Sequence, residues 1–223
     1  MIALHRVSKT FGAGPVKVTA LSDVTFRMSK GEFAVVRGRS GAGKTTLLRL
    51  LYRDEVPTDG EVEVGAHDVT SLARSEIPEL RRSIGVVFQD AKLLPGRTVY
   101  ENVAFVLRVL GMPRREITQR AFSALKAVGL STRAQAYPWQ LSQGEAQRAS
   151  LARAIAKQPA ILLADEPTGN LDEDMAAEVF QVIADIWRGG TTVLLATHQL
   201  GVARKLGRRT LTLDAGRLVK DEG

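Results

Sequence analysis

Apolar residues fall into two patterns along the chain. Short β-like runs recur at 3–7, 24–28, 33–36, 61–64, 84–88, 161–164, 192–196 and 210–213. Several contain no polar position, the mark of strands covered on both faces, as in a parallel sheet lying between helices. Between Gln89 and Gln158 the spacing becomes helical and predicts helices at 99–110, 114–128 and 143–157, punctuated by Gly111-Met112-Pro113 and Tyr137-Pro138. The pattern therefore predicts an α/β core of residues 1–88 and 159–223, with a helical subdomain over about 89–158. No internal repeat, linker or low-complexity segment interrupts it.

A length of 223 residues suits one large domain with an inserted subdomain and a substantial core. Cysteine is absent, which removes disulfides and thiolate metal sites and suits a reducing cytoplasm. No apolar run approaches the roughly 18 residues needed to span a bilayer, and the first residues carry no signal-peptide pattern. A chain soluble by itself is expected. The net charge of +7 is spread over pairs such as Arg81-Arg82, Arg114-Arg115 and Arg208-Arg209, and aromatic residues make up only 5%. Scattered charge with few stacking platforms favours an anionic membrane surface over nucleic acid as the neighbour.

The strongest chemical signal is Gly38-Arg39-Ser40-Gly41-Ala42-Gly43-Lys44-Thr45, which has the P-loop spacing of glycine, four residues, then glycine, lysine and a hydroxyl residue. An apolar run ending at Val36 precedes it, and residues 45–52 read as a helix. Strand, glycine loop and helix are the setting that such a loop needs. The glycines let successive N–H groups turn toward a phosphate at a helix N-terminus. Lys44 then meets the β- and γ-phosphates of ATP, the Thr45 hydroxyl ligates Mg²⁺, and Thr46 belongs to the same nucleotide-binding set.

Ile161-Leu162-Leu163-Ala164-Asp165-Glu166 is an apolar strand ending in two carboxylates. Beside the P-loop strand, Asp165 can hold Mg²⁺ and Glu166 can polarise the water that attacks the γ-phosphate. Gln89 and His198 each follow another apolar run, at the strand end where ligands of open α/β sheets collect. Gln89 is a candidate for contact with Mg²⁺ and the attacking water, and His198 for a hydrogen bond to the γ-phosphate. His5 and His67 have no such setting.

Together with Leu141-Ser142-Gln143-Gly144-Glu145, these motifs occur in an order that resembles the ATP-binding cassette (ABC) ATPases over essentially the whole chain. The resemblance implies a P-loop ABC-ATPase fold, with a mostly parallel central sheet, an N-terminal antiparallel β region and an inserted helical subdomain. It also implies a head-to-tail homodimer, in which Ser142 and the backbone at Gly144 of one subunit close over the γ-phosphate held by the other. Gly169-Asn170-Leu171-Asp172 matches the family's D-loop, and Phe11 its adenine-stacking aromatic. Two positions depart from the family pattern. Gln143 stands where glycine is usual, and Phe11 where tyrosine is common, although phenylalanine keeps the stacking face.

Residues 88–104 and 163–172 look like the family's bacterial cell-division members. That narrower resemblance implies a subunit at the cytoplasmic face of the inner membrane, docked on an integral-membrane partner through the segment after Gln89 and controlling cell-wall hydrolysis. The ATPase of a lipoprotein-releasing or macrolide-export complex is the sibling alternative. A nucleic-acid ATPase of the repair or translation type would need a coiled-coil insertion or a second cassette.

Overall fold

The computed structural model describes residues 1–12, 16–198 and 209–223, so Arg208 of the last arginine pair lies outside the described residues. The chain divides into two compact units, Met1–Ile84 with Thr192–Gly223, and Gly85–Thr191. The second unit is longer than the expected helical segment, because it also takes in the acidic strand and the helix after it.

In the first unit, β1 (Ile2–Phe11), β2 (Val18–Met28), β4 (Asp59–Val64) and the short β5 (His67–Asp68) form a sheet in the order β2-β1-β4-β5. Its pairings are antiparallel. Alternation explains why: Val24, Phe26 and Met28 are buried while Thr25 and Arg27 face out, so one side packs and the other is wet.

A second set of strands contains β3 (Phe33–Arg37), with β8 (Thr192–Thr197) and β9 (Arg209–Asp214) parallel on either side. Phe33 to Val36 and all of β8 are buried, as uninterrupted apolar strands require. Against them lies α1 (Lys44–Leu51), which buries Leu47, Leu48, Leu50 and Leu51. The unit also holds α2 (Ile77–Ser83). Its Arg81 donates to the carbonyls of Tyr52 at 3.0 Å and Arg53 at 3.1 Å, just past the end of α1. That arginine serves the fold.

The hairpin strand β10 (Arg217–Glu222), antiparallel to β9, carries no apolar signal. It is an edge strand rich in charge, which edges use to discourage further pairing. Arg209 holds it in place with a fork on Asp221, both bonds 2.7 Å, and a 2.8 Å bond to Glu32.

The second unit contains β6 (Ile84–Val87) beside β7 (Ile161–Asp165), and the helices α3 (Val99–Val109), α4 (Arg114–Ala127), α5 (Gln143–Ile155) and α6 (Glu173–Arg188). The first three match the helical pattern to within two residues at either end. Buried positions on α4 fall at Ile117, Ala121, Ala124 and Leu125, one stripe of a 3.6-residue helix. In the first turn of α3, fully buried Asn102 accepts the N–H of Leu94 at 2.7 Å and donates to the carbonyls of Leu94, Arg97 and Thr98. One asparagine thus orders residues 94–98. No helix among the described residues is long and apolar enough to cross a membrane.

Leu50 sits on α1 with no exposed surface. Leu50→Ala is expected to cost about 2–5 kcal/mol of unfolding free energy, read as a lowered urea midpoint.

Candidate functional site

In the first unit the P-loop runs from the end of β3 into α1. Gly43 is the N-cap of α1 with φ +101°, so no side chain caps the helix, and its first N–H groups face the loop. The need for glycine here is also steric. A Cβ on Gly43 would stand 2.4 Å from the carbonyl oxygen of Ala20, and one on Gly38 would stand 2.5 Å from that of Leu213. Backbone from β2 and from β9 therefore presses on the loop from outside.

Lys44 is only 7% exposed, and its Nζ donates to the carbonyls of Gly38 at 2.8 Å and Arg39 at 3.2 Å. The side chain folds back across its own loop, which closes the loop into a ring. Arg39, Ser40, Gly41 and Thr45 are exposed, Thr46 is half-buried, and Ala42 anchors the loop in the core. Phe11 ends β1, half-buried, with the Lys9 ammonium 4.7 Å from its ring centroid.

In the second unit Asp165 ends β7 with its Oδ1 shielded from solvent. Glu166 follows, 8% exposed and at φ +46°, while its carbonyl accepts the N–H of Gly169 at 3.0 Å. A buried glutamate in the left-handed region costs free energy, and such residues gather at functional sites. The sequence offers no sign of this strain. Asp172 caps α6 by accepting the N–H of Met175 at 2.8 Å.

Gln89 is exposed, with its Nε2 3.3 Å from where a Cβ on Gly169 would stand. Gln89, Gln143, Asn170 and Leu171 line one cleft of about 170 Å³. The structure thus brings together the glutamine after β6, the unusual residue of the signature and the D-loop. His198 follows β8 in the first unit, exposed.

Ser142 is the N-cap of α5 and Gly144 is buried in its first turn. Gly144 packs on α6, since a Cβ there would meet Met175 Sδ at 2.9 Å. Gln143 takes ordinary helical backbone, so the lost glycine causes no strain.

Two residues of α5 escaped the sequence reading. Gln147, 3% exposed, donates to the carbonyl of Phe88 at 2.8 Å. Arg153 donates to the carbonyls of Ala91 at 2.8 Å and Lys92 at 2.6 Å. Both bracket Gln89, and their only trace in the sequence is a polar residue on the buried side of an amphipathic helix.

A strand–loop–helix closed around a buried ammonium, and a second unit carrying strand-end carboxylates and the signature helix, define a nucleotide-hydrolysing cassette. Residues 21–169 match the family model described as ABC transporter, and the chain belongs to that family of ATPases.

Several curated relatives are named cell division ATP-binding protein FtsE. The chain is 43% identical over 222 residues to that of Streptococcus pneumoniae, covering 100% of this chain and 95% of the relative. It is 45% identical over 218 residues to that of Escherichia coli (98% and 97% covered) and 44% identical over 222 residues to that of Mycobacterium tuberculosis (100% and 96%). Among solved structures it resembles a dimeric ATP-binding cassette in a post-hydrolysis state bound to ADP and Pi (TM-score 0.91, 36% identity, 100% and 98% covered). It also resembles a dimeric bacterial ABC transporter cassette (TM-score 0.92, 37% identity, 100% and 98% covered). These likenesses establish the expected mixed α/β cassette fold.

Gly43→Ala puts a methyl group against the Ala20 carbonyl and forces alanine to positive φ, a penalty of roughly 1–2 kcal/mol before the clash is counted. Loss of binding to a fluorescent ATP analogue is the expected result. An affinity equal to that of the unaltered protein would contradict this account of the loop.

Proposed function

We propose that the chain binds Mg-ATP as a head-to-tail homodimer, hydrolyses it, and uses dimer closure to drive an integral-membrane partner resembling FtsX, which regulates cell-wall hydrolysis during bacterial division. The protein then works at the cytoplasmic face of the inner membrane, held there by that partner. The observation that carries this reading is full-length identity of 43–45% to relatives named for cell division.

The roles follow from the chemistry of each residue. Adenine stacks on the face of Phe11 opposite Lys9. The N–H groups from Gly38 to Thr46, with Lys44, hold the phosphates, and Glu166 takes a proton from water as its oxygen bonds to the γ-phosphorus. The bond from that phosphorus to the bridging oxygen breaks, leaving ADP and phosphate. Gln89 orients the water, and His198 hydrogen-bonds the γ-phosphate. Ser142 and the backbone of Gly144 of the partner subunit meet the same phosphate, with the D-loop through Asp172 at the interface.

Among the described residues no group of three or more histidine, cysteine, aspartate or glutamate side chains is placed to hold a metal. A hard ion carried in on nucleotide phosphates needs no such cage, only one or two protein oxygens. Thr45, Gln89 and Asp165 offer oxygen donors of the right kind. Carried in on the nucleotide, Mg²⁺ would neutralise charge on the phosphates.

Glu166→Gln is expected to lower turnover by roughly 10²–10⁴ while sparing ATP binding, since a general base contributes about that much; unchanged turnover would remove Glu166 from that role. The same variant, tagged and captured from detergent-solubilised native membranes with Mg-ATP, tests the partner. Recovery of a short integral-membrane protein linked to a cell-wall hydrolase supports division. Recovery of exporter subunits or a lipoprotein assigns the chain to the transport alternative.

A further inference from the structure

Ser142 is held by more than its helix. Its Oγ accepts the N–H of Glu145 at 3.1 Å, and the Glu145 carboxylate accepts the N–H of Ser142 at 2.9 Å. This capping box marks where α5 begins and is a common helix start. Arg133 then grips the same carboxylate from behind. Its Nε donates to Oε1 at 2.9 Å and its Nη2 to Oε2 at 3.3 Å, a fork that occupies both oxygens. The Arg133 guanidinium first, and the Ser142 N–H second, hold the Glu145 carboxyl below its ordinary range.

Arg133 is itself anchored. It ends the short turn Ser131–Arg133, and just after it the carbonyls of Ala134 and Ala136 each accept a 2.8 Å bond, from the N–H groups of Tyr100 and Val99. Those donors belong to the first turn of α3, where a helix leaves N–H groups without internal acceptors. A continuous set of bonds therefore runs from the start of α3, through 133–136, Arg133 and Glu145, to Ser142.

The bonding also fixes the position of the serine oxygen. A hydroxyl has one hydrogen to donate. With Oγ accepting from the helix, its hydrogen is available for a partner outside α5, and Ser142 is exposed. Outward donation is what a phosphate oxygen carried by another copy of the chain requires.

We propose that Arg133 is a positioning residue for ATP hydrolysis, which acts through Glu145 to hold Ser142 in the orientation that donates to the γ-phosphate bound by a second copy of this chain. The proposal rests on the reading of Ser142 as a contact made across an ATP dimer. It also gives the last residue of the signature a purpose. A glutamine there would still accept the Ser142 N–H but would offer Arg133 one oxygen in place of two.

The competing account is an ordinary surface ion pair, since the Arg133 side chain is 45% exposed. Exposed pairs contribute little to stability. Removing Arg133 should then leave folding nearly unchanged under either account, and turnover and dimer formation separate them.

The test compares Arg133→Ala, Arg133→Lys, Ser142→Ala and the Arg133→Ala/Ser142→Ala double variant in the full chain. It reads kcat and KM for ATP, affinity for a fluorescent ATP analogue, and the thermal midpoint. A second readout is the Mg-ATP dimer on a Glu166→Gln background, followed by size-exclusion chromatography. The expected result is a kcat about tenfold or more lower in Arg133→Ala, with nucleotide affinity and thermal midpoint unchanged. The double variant should be no worse than Ser142→Ala alone, because one residue acts through the other. Lysine should restore part of the loss, having the charge without the fork.

Full turnover and an intact dimer in Arg133→Ala beside an impaired Ser142→Ala would overturn the positioning role and leave the dimer reading standing. Unimpaired Ser142→Ala would overturn both. Losses that multiply in the double variant would overturn the proposal by making Arg133 independent of the serine.

Discussion

A buried ammonium constrains the first unit. Lys44 is nearly shut off from solvent and bonded to two carbonyls of its own loop, and a charge taken out of water is costly unless polar groups surround it. The P-loop is the shape that surrounds it. For the backbone to close around the amine, β3 must end at Arg37, α1 must start at Lys44, and Gly38 and Gly43 must lack side chains where the Leu213 and Ala20 carbonyls approach. The same closure leaves N–H groups on the open side. The pairing of β3 with β8 and β9, and the leucines of α1, serve to hold that arrangement still.

In the second unit one helix has the corresponding place. α5 starts with Ser142, packs Gly144 on Met175 of α6, bonds the backbone on both sides of Gln89 through Gln147 and Arg153, and forms an ion pair from Arg148 to Glu178. The signature serine, the glutamine and the cap of α6 are therefore not three independent loops. Residues 88, 91 and 92 are tied by hydrogen bonds to the helix that begins at Ser142.

Much of this was legible in the residue pattern. Uninterrupted apolar runs marked β3, β7 and β8, since a strand buried on both faces has no room for polar positions. The helices α3, α4 and α5 declared themselves by spacing. Edge strand β10 escaped, because its outward charges belong to solvent and to Arg209 and leave no periodic signal. The first half of β2 escaped for a related reason: Val18 is exposed, so apolar character there does not mark a buried face. The motif residues were readable because phosphate chemistry permits few residue types at fixed spacing.

The sequence by itself determined the family and the fold class, because each depends on residue types at short, fixed spacing. Only the tertiary structure decided that Glu166 sits strained and buried, that Gly144 is needed against Met175, and that Arg81 and Arg209 serve the fold before any surface. It also decided that Arg133 stands behind the signature. Those facts depend on which atoms meet across long stretches of chain, and side-chain bonding of that kind leaves no period for the sequence to display.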